Sequence, residues 1–216
     1  MISTGCKELD ELLQGYKEEL TLIYGPSASG KTTLAIQAAI KQAEKGKKVL
    51  YIDTEGGFNT ERIKQINPDP KILDNILLLR IKEFMEQRVN FRKLKELVEK
   101  GKIGLVIIDT IGMHYRLYLQ KNSYGANLCL KKQFRILNEI AKEFNVPVIV
   151  ANQVYNNING IGVRPVGGDI VFNNCQTWIE LQKEPRRKLI LKKPQPEKSV
   201  DIEIKTEGLL SNTIDK

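Results

Sequence analysis

Residues 25–32 read Gly-Pro-Ser-Ala-Ser-Gly-Lys-Thr and match the spacing G-x-x-x-x-G-K-[ST] without a gap. An apolar run, residues 20–24, comes before them, and an Ala- and Ile-rich helical pattern, residues 32–45, comes after, with Gly46 as its stop. A strand that turns through a glycine loop into a helix points successive backbone N–H groups at one spot, at the positive end of the helix dipole. That spot suits a phosphate chain. Gly25, Pro26, Ser27, Ala28, Ser29 and Gly30 form the expected cradle, Lys31 reaches the β- and γ-phosphates, Thr32 offers its hydroxyl to Mg²⁺, and Thr33 completes the set.

A phosphate loop needs a second Mg²⁺ anchor, an aspartate at the end of a neighbouring apolar strand. Asp109 closes the run Leu105-Val106-Ile107-Ile108, and Asp53 closes another and rivals it. Glu55 follows Asp53 by two residues, where a carboxylate polarises an attacking water or simply caps a turn.

Further apolar runs at residues 49–52, 76–79, 103–108 and 146–151 alternate with helical patterns at 83–100 and 128–144, and a short one at 7–14 opens the chain. That rhythm predicts βαβ units and a mostly parallel sheet flanked by helices, an α/β fold. From residue 177 the pattern changes to three strand candidates, 177–182, 188–191 and 200–205, with the basic turn Glu184-Pro185-Arg186-Arg187 between the first two. They predict a C-terminal antiparallel extension on one edge. With 216 residues and no internal linker or repeat, the chain is expected to be a single domain, residues 1–216.

Composition adds limits. No run of 18 apolar residues is present, and the N-terminus lacks a secretory pattern. Cys6, Cys129 and Cys175 are too scattered for a disulfide framework or a zinc site, so a reduced, cytoplasmic setting is expected. The net charge of +8 favours a polyanionic partner, nucleic acid first. A plain excess of lysine, 25 against 9 arginines, accounts for the charge equally well.

Four segments extend the reading. Residues 2–10, Ile-Ser-Thr-Gly-Cys-Lys-Glu-Leu-Asp, resemble the opening of the catalytic core in the archaeal and eukaryotic RecA-like recombinases. Residues 51–58, Tyr-Ile-Asp-Thr-Glu-Gly-Gly-Phe, followed by Glu61-Arg62, resemble that family's second block. Ala151-Asn152-Gln153-Val154 resembles the strand leading into its second DNA loop, and residues 164–169, Arg-Pro-Val-Gly-Gly-Asp, the block after that loop. The resemblance implies a RecA-like core that binds ATP and Mg²⁺, with Glu55 activating water, Arg62 stacking on adenine and Gln153 sensing the γ-phosphate. It also implies weak, DNA-dependent hydrolysis and a role in homologous recombination and DNA repair beside a full-length recombinase.

The resemblance places a first DNA loop at residues 111–126, where His114, Tyr115, Arg116, Tyr118, Lys121 and Tyr124 interleave aromatics and bases. Stacking plus phosphate contact holds single strands without reading sequence. Tyr115, Arg116, Tyr118 and Lys121 are the expected DNA contacts, for single strands and for duplex, and a lid helix packed on the core is the alternative. His114, with no acid–base partner in view, reads as a loop contact. The fallback DNA site is the second loop, residues 154–165, or Arg186, Arg187 and Lys188. Lys192 and Lys193 lie where the family approaches a neighbouring subunit's ATP; a solvated strand end is the other reading.

The core starts at residue 2, and the second loop is short. Hence the expectation is an accessory protein of small assemblies, at most a two-fold dimer, rather than a filament-forming recombinase. A KaiC-like signalling or metabolic ATPase, which shares the opening Ser-Thr-Gly and the phosphate loop, is the competing function.

Overall fold

The computed structural model describes residues 1–156 and 162–211. In chain order its elements are α1 (Lys7–Leu13), β1 (Leu20–Tyr24), α2 (Lys31–Ala43), β2 (Lys48–Asp53), α3 (Thr60–Ile66), α4 (Lys71–Asp74), β3 (Ile76–Arg80), α5 (Phe84–Gly101), β4 (Ile103–Asp109), α6 (Gly112–Leu119), α7 (Ser123–Glu143), β5 (Val148–Asn152), β6 (Val154–Asn156), β7 (Val163–Pro165), α8 (Asp169–Phe172), β8 (Thr177–Gln182), β9 (Lys188–Lys193), β10 (Lys198–Lys205) and β11 (Gly208–Ser211).

Among the described residues, nine strands form one sheet in the order β11-β10-β9-β8-β1-β5-β4-β2-β3. The four central strands β1, β5, β4 and β2 are nearly continuous apolar runs because both faces of the sheet are covered there. Alternate residues serve opposite layers. Leu22, Leu50, Val106, Ile108 and Val150 pack under α5, α6, α7 and α8, whereas Ile23, Val49, Tyr51, Leu105 and Ile107 pack under α1, α2, α3 and α4. At about 25 cal/mol per Å² of buried apolar area, these two layers supply the main folding force.

The C-terminal extension β8-β9-β10-β11 is antiparallel pair by pair, as the sequence predicts, and β8 also joins it to the parallel part of the sheet. That strand pairs parallel with β1, Thr21 opposite Thr177 and Tyr24 opposite Glu180. The chain reaches β8 by a crossover past α8 and so enters the sheet in the same direction as β1; only the turn at 183–187 reverses it. Residues 111–126 differ from a loop. Ile111, Tyr115 and Tyr118 recur at helical spacing, and the segment folds as α6 and the start of α7, the lid-helix alternative. Among the described residues no helix is long and apolar enough to cross a membrane.

Candidate nucleotide site

Four strand ends, those of β1, β5, β4 and β2, stand side by side at one edge of the sheet, with Tyr24 opposite Asn152, Ala151 opposite Asp109 and Asp109 opposite Asp53. This is the carboxyl edge where open α/β sheets bind ligands. The loop after β1 is built by its glycines. A Cβ on Gly25 would collide with the Leu181 carbonyl oxygen, and Gly30 holds φ at +112° just before α2. Lys31 is buried, and its Nζ donates to the carbonyls of Gly25 at 2.9 Å and Pro26 at 2.7 Å. Burial lowers its pKa, against the opposing pull of Asp109 and Glu55. Ser29 Oγ is buried and has no hydrogen-bond partner among the described residues. A curled loop holding an orphan hydroxyl and an internally satisfied ammonium fits a phosphate chain that would engage both.

The two rival aspartates differ sharply. Asp53 accepts four backbone N–H bonds, from Glu55, Gly56 and Gly57 at 2.8–3.1 Å on Oδ1 and from Phe58 at 3.1 Å on Oδ2. It is occupied in shaping the turn that carries Glu55. Asp109 accepts from the Tyr51 hydroxyl at 2.8 Å and from the Thr32 side chain. Burial raises its pKa, and Glu55 and Asp53 push the same way. Among the described residues no cluster of three acidic, His or Cys side chains could hold a metal alone. A hydroxyl, one carboxylate and phosphate oxygens are instead the donor set that suits Mg²⁺.

This gives a prediction. A carboxyl whose folded pKa is raised stabilises the fold fully only below its unfolded value of 3.8, and that support is lost as pH rises through the folded pKa. Above its folded pKa the Asp109 carboxylate therefore burdens the nucleotide-free protein. Asp109→Asn is expected to raise the melting temperature without nucleotide, by about 2–4 °C for each kcal/mol relieved, and to weaken Mg²⁺-dependent nucleotide binding. Parallel melts with and without Mg²⁺ and nucleotide check both halves; a lower melting temperature in the nucleotide-free variant defeats the argument.

Glu55 joins the two strands beyond the loop. Its Oε1 accepts from Thr110 Oγ1 at 2.7 Å and from Gln153 Nε2 at 2.8 Å. Thr54 braces this corner from below, donating to the Thr110 carbonyl at 2.7 Å and accepting from its N–H at 2.9 Å. Arg62 lies on α3, and its guanidinium donates to the carbonyls of Lys205 and Thr206 in the β10–β11 turn. The same hairpin touches the phosphate loop: a Cβ on Gly30 would meet Ile204 and Leu209.

One loop contact escapes the sequence reading. Arg187 Nη1 donates at 2.7 Å to the carbonyl of Ala28, which holds φ at +59°. The hairpin turn thus holds the phosphate loop, a role visible only once β8 is known to lie beside β1.

The expected DNA contacts divide. Tyr115 is only 3% exposed, and its hydroxyl donates to Asn127, so it offers no ring face to a base. Tyr118 is half-buried and stacked on Phe84 at 4.4 Å. His114 is buried, with Nε2 3.0 Å from the Ile81 carbonyl, and is a core group rather than a loop contact. The spacing that makes α6 a helix turns these rings inward. Arg116 and Lys121 are exposed. Lys192 pairs with Glu197 at 2.8 Å, while Lys193 donates to the Cys175 carbonyl and sits over the Trp178 ring, so both serve the sheet end. Of the second loop, the paired stems β6 and β7 are described, and residues 157–161 lie outside the described residues.

Comparison with known proteins agrees with this geometry. The Rad51 family model matches residues 1–212. The DNA repair and recombination protein RadB of Thermococcus kodakarensis is 40% identical over 194 residues, 86% of this chain and 85% of that protein. The protein of the same description from Methanobrevibacter smithii is 36% identical, over 81% of this chain and 78% of its own length. A crystal structure of the RadB recombinase superposes with a TM-score of 0.83 at 37% identity, covering 97% of this chain and 99% of that one. These matches favour recombination proteins over the KaiC-like alternative.

Proposed function

The chain belongs to the Rad51 family, and on that footing we propose that it is an ATP- and DNA-binding accessory protein of homologous recombination and DNA repair, assisting or regulating a full-length recombinase and hydrolysing ATP weakly. The observation that carries this reading is the bond from Gln153 Nε2 to Glu55 Oε1. It ties the carboxylate beside the phosphate loop to the strand end that runs directly into β6.

Each residue then has a task. The loop from Gly25 to Gly30 surrounds the β-phosphate, and Lys31 exchanges the Gly25 and Pro26 carbonyls for phosphate oxygens. Mg²⁺, when bound, would neutralise phosphate charge beside Thr32 and Asp109. Glu55 takes a proton from water, and Thr110 keeps its carboxylate aimed. Gln153 either holds Glu55 or turns to a γ-phosphate oxygen, and the exchange moves the base of the β6–β7 hairpin, where the Val166 N–H donates to the Gln153 carbonyl at 2.9 Å. The Arg62 contacts with the β10–β11 turn support an adenine site between α3 and that turn.

The test compares single-strand binding and assembly with ATP, with ADP and without nucleotide. Binding that responds to nucleotide, together with little strand exchange by the protein alone, is expected. Long helical filaments with efficient strand exchange would replace the accessory role with that of a recombinase, and nucleotide turnover indifferent to DNA would remove DNA from the reading.

A further inference from the structure

Away from the nucleotide edge, α5 and α7 flank an open groove of about 370 Å³, with Tyr118 of α6 in its lining. Its floor is apolar: exposed Leu128 and half-buried Tyr118 and Ile136 face the opening, above the buried Phe84 and Phe91. Its rim is cationic: Arg88 and Arg92 one turn apart on α5 face Lys132 and Arg135 on α7. Arg135 has Glu139 at 3.6 Å. Arg88, Arg92 and Lys132 have no hydrogen bond or ion pair among the described residues, although the chain carries 26 acidic residues that could have supplied one. The cations converge on the groove. Burial raises the pKa of Cys129 in its wall, and Arg88, Lys132 and Arg92 all pull it back.

An excess of lysine does not explain this rim. Arginine is the minority base of the chain, 9 residues against 25, yet three of the four groove cations are arginines. A guanidinium fork suits planar, two-point contact with phosphate, and it stacks on flat rings. The groove also opens toward the α6–α7 junction, where exposed Lys121 lies and where Tyr124 is 80% exposed. Tyr124 is the aromatic of that segment left outside the core. α5, α6 and α7 carry five of the nine large apolar side chains that are exposed among the described residues.

We propose that the α5–α7 groove is a single-stranded nucleic-acid track, in which Arg88, Arg92, Lys132 and Arg135 hold consecutive phosphates and bases lie against the apolar floor and Tyr124. The proposal rests on the DNA-binding reading above and relocates most of the contact from α6 to the two helices beside it. It accounts for an anionic occupant with flat apolar parts better than duplex DNA does, since a duplex keeps its bases stacked inside and could not reach the floor.

The test measures binding of a fluorescent 30-nucleotide oligothymidine across a salt series. Against wild type, the Arg88→Ala/Arg92→Ala/Lys132→Ala variant is expected to bind at least tenfold more weakly, with a salt slope smaller by about 2, three phosphates at about 0.7 each. Tyr124→Ala should lose about tenfold with the slope unchanged. Nucleotide binding by the same variants, unaffected at the distant phosphate loop, certifies their folding. Wild-type binding that the triple variant reproduces in strength and slope overturns the track and leaves DNA binding itself intact. Wild type that fails to bind the oligonucleotide overturns both. If the triple variant keeps the oligonucleotide but loses an acidic, leucine-containing peptide that wild type holds, the groove belongs to a protein segment and the track is overturned.

Discussion

Lys31→Ala is expected to cost this protein ATP affinity by about 10- to 100-fold or more, the worth of a charge-assisted contact of roughly 1.5–3 kcal/mol in a closed pocket. In the nucleotide-free protein the ammonium is buried and satisfied by two carbonyls of its own loop, Gly25 and Pro26. It is therefore already positioned, and little ordering entropy remains when phosphate arrives. Burial lowers its pKa, so the charge itself is a burden on the empty fold, and the variant is expected to melt close to wild type. That separation makes the result readable. A fluorescent ATP analogue titrated into a variant with an unchanged melt reports the contact alone, and unchanged affinity there would move the phosphate site away from residues 25–32.

Glu55→Gln should leave ATP binding near wild type and lower hydrolysis by about 10²- to 10⁴-fold, the usual worth of a positioned general base. The amide is nearly the shape of the carboxylate but cannot take a proton. Its oxygen can still accept from Thr110 Oγ1 or Gln153 Nε2, so the corner is expected to hold. Single-turnover hydrolysis with and without single-stranded DNA measures the effect. A variant that hydrolyses like wild type leaves Glu55 as a turn residue and removes the general base from this corner, since Asp53, committed to four N–H bonds, is a poor base.

Local rules made the parallel half of the fold legible. The strands at 20–24 and 103–108 are runs of apolar residues buried on both faces, and the glycine loop dictates what stands on either side of it. Asp109 and Asp53 looked alike because both end such runs; only the backbone of the following turn distinguishes them, and it lies folded around Asp53. The inward turn of Tyr115 and His114 was obscured because aromatics and bases interleaved every few residues satisfy a helix and a binding loop equally. Arg187 reaches Ala28 across 159 positions of sequence, a pairing that depends on which edge of β1 receives β8.

The side-chain amide of Gln37, on the helix that begins at Lys31, donates to the carbonyls of Gly5 and Leu209 at 3.1 Å and accepts from the Leu209 N–H at 2.9 Å. Leu209 and Ile204 in turn flank Gly30, Arg187 holds Ala28, and the Leu181 carbonyl abuts Gly25. Everything that walls the phosphate loop from that side is thus translated after residue 180. A chain still on the ribosome, with β1, β2 and β4 already made, has the motif but lacks the wall. It acquires an ATP pocket only when its last strands dock, so synthesis delivers nucleotide competence late and all at once.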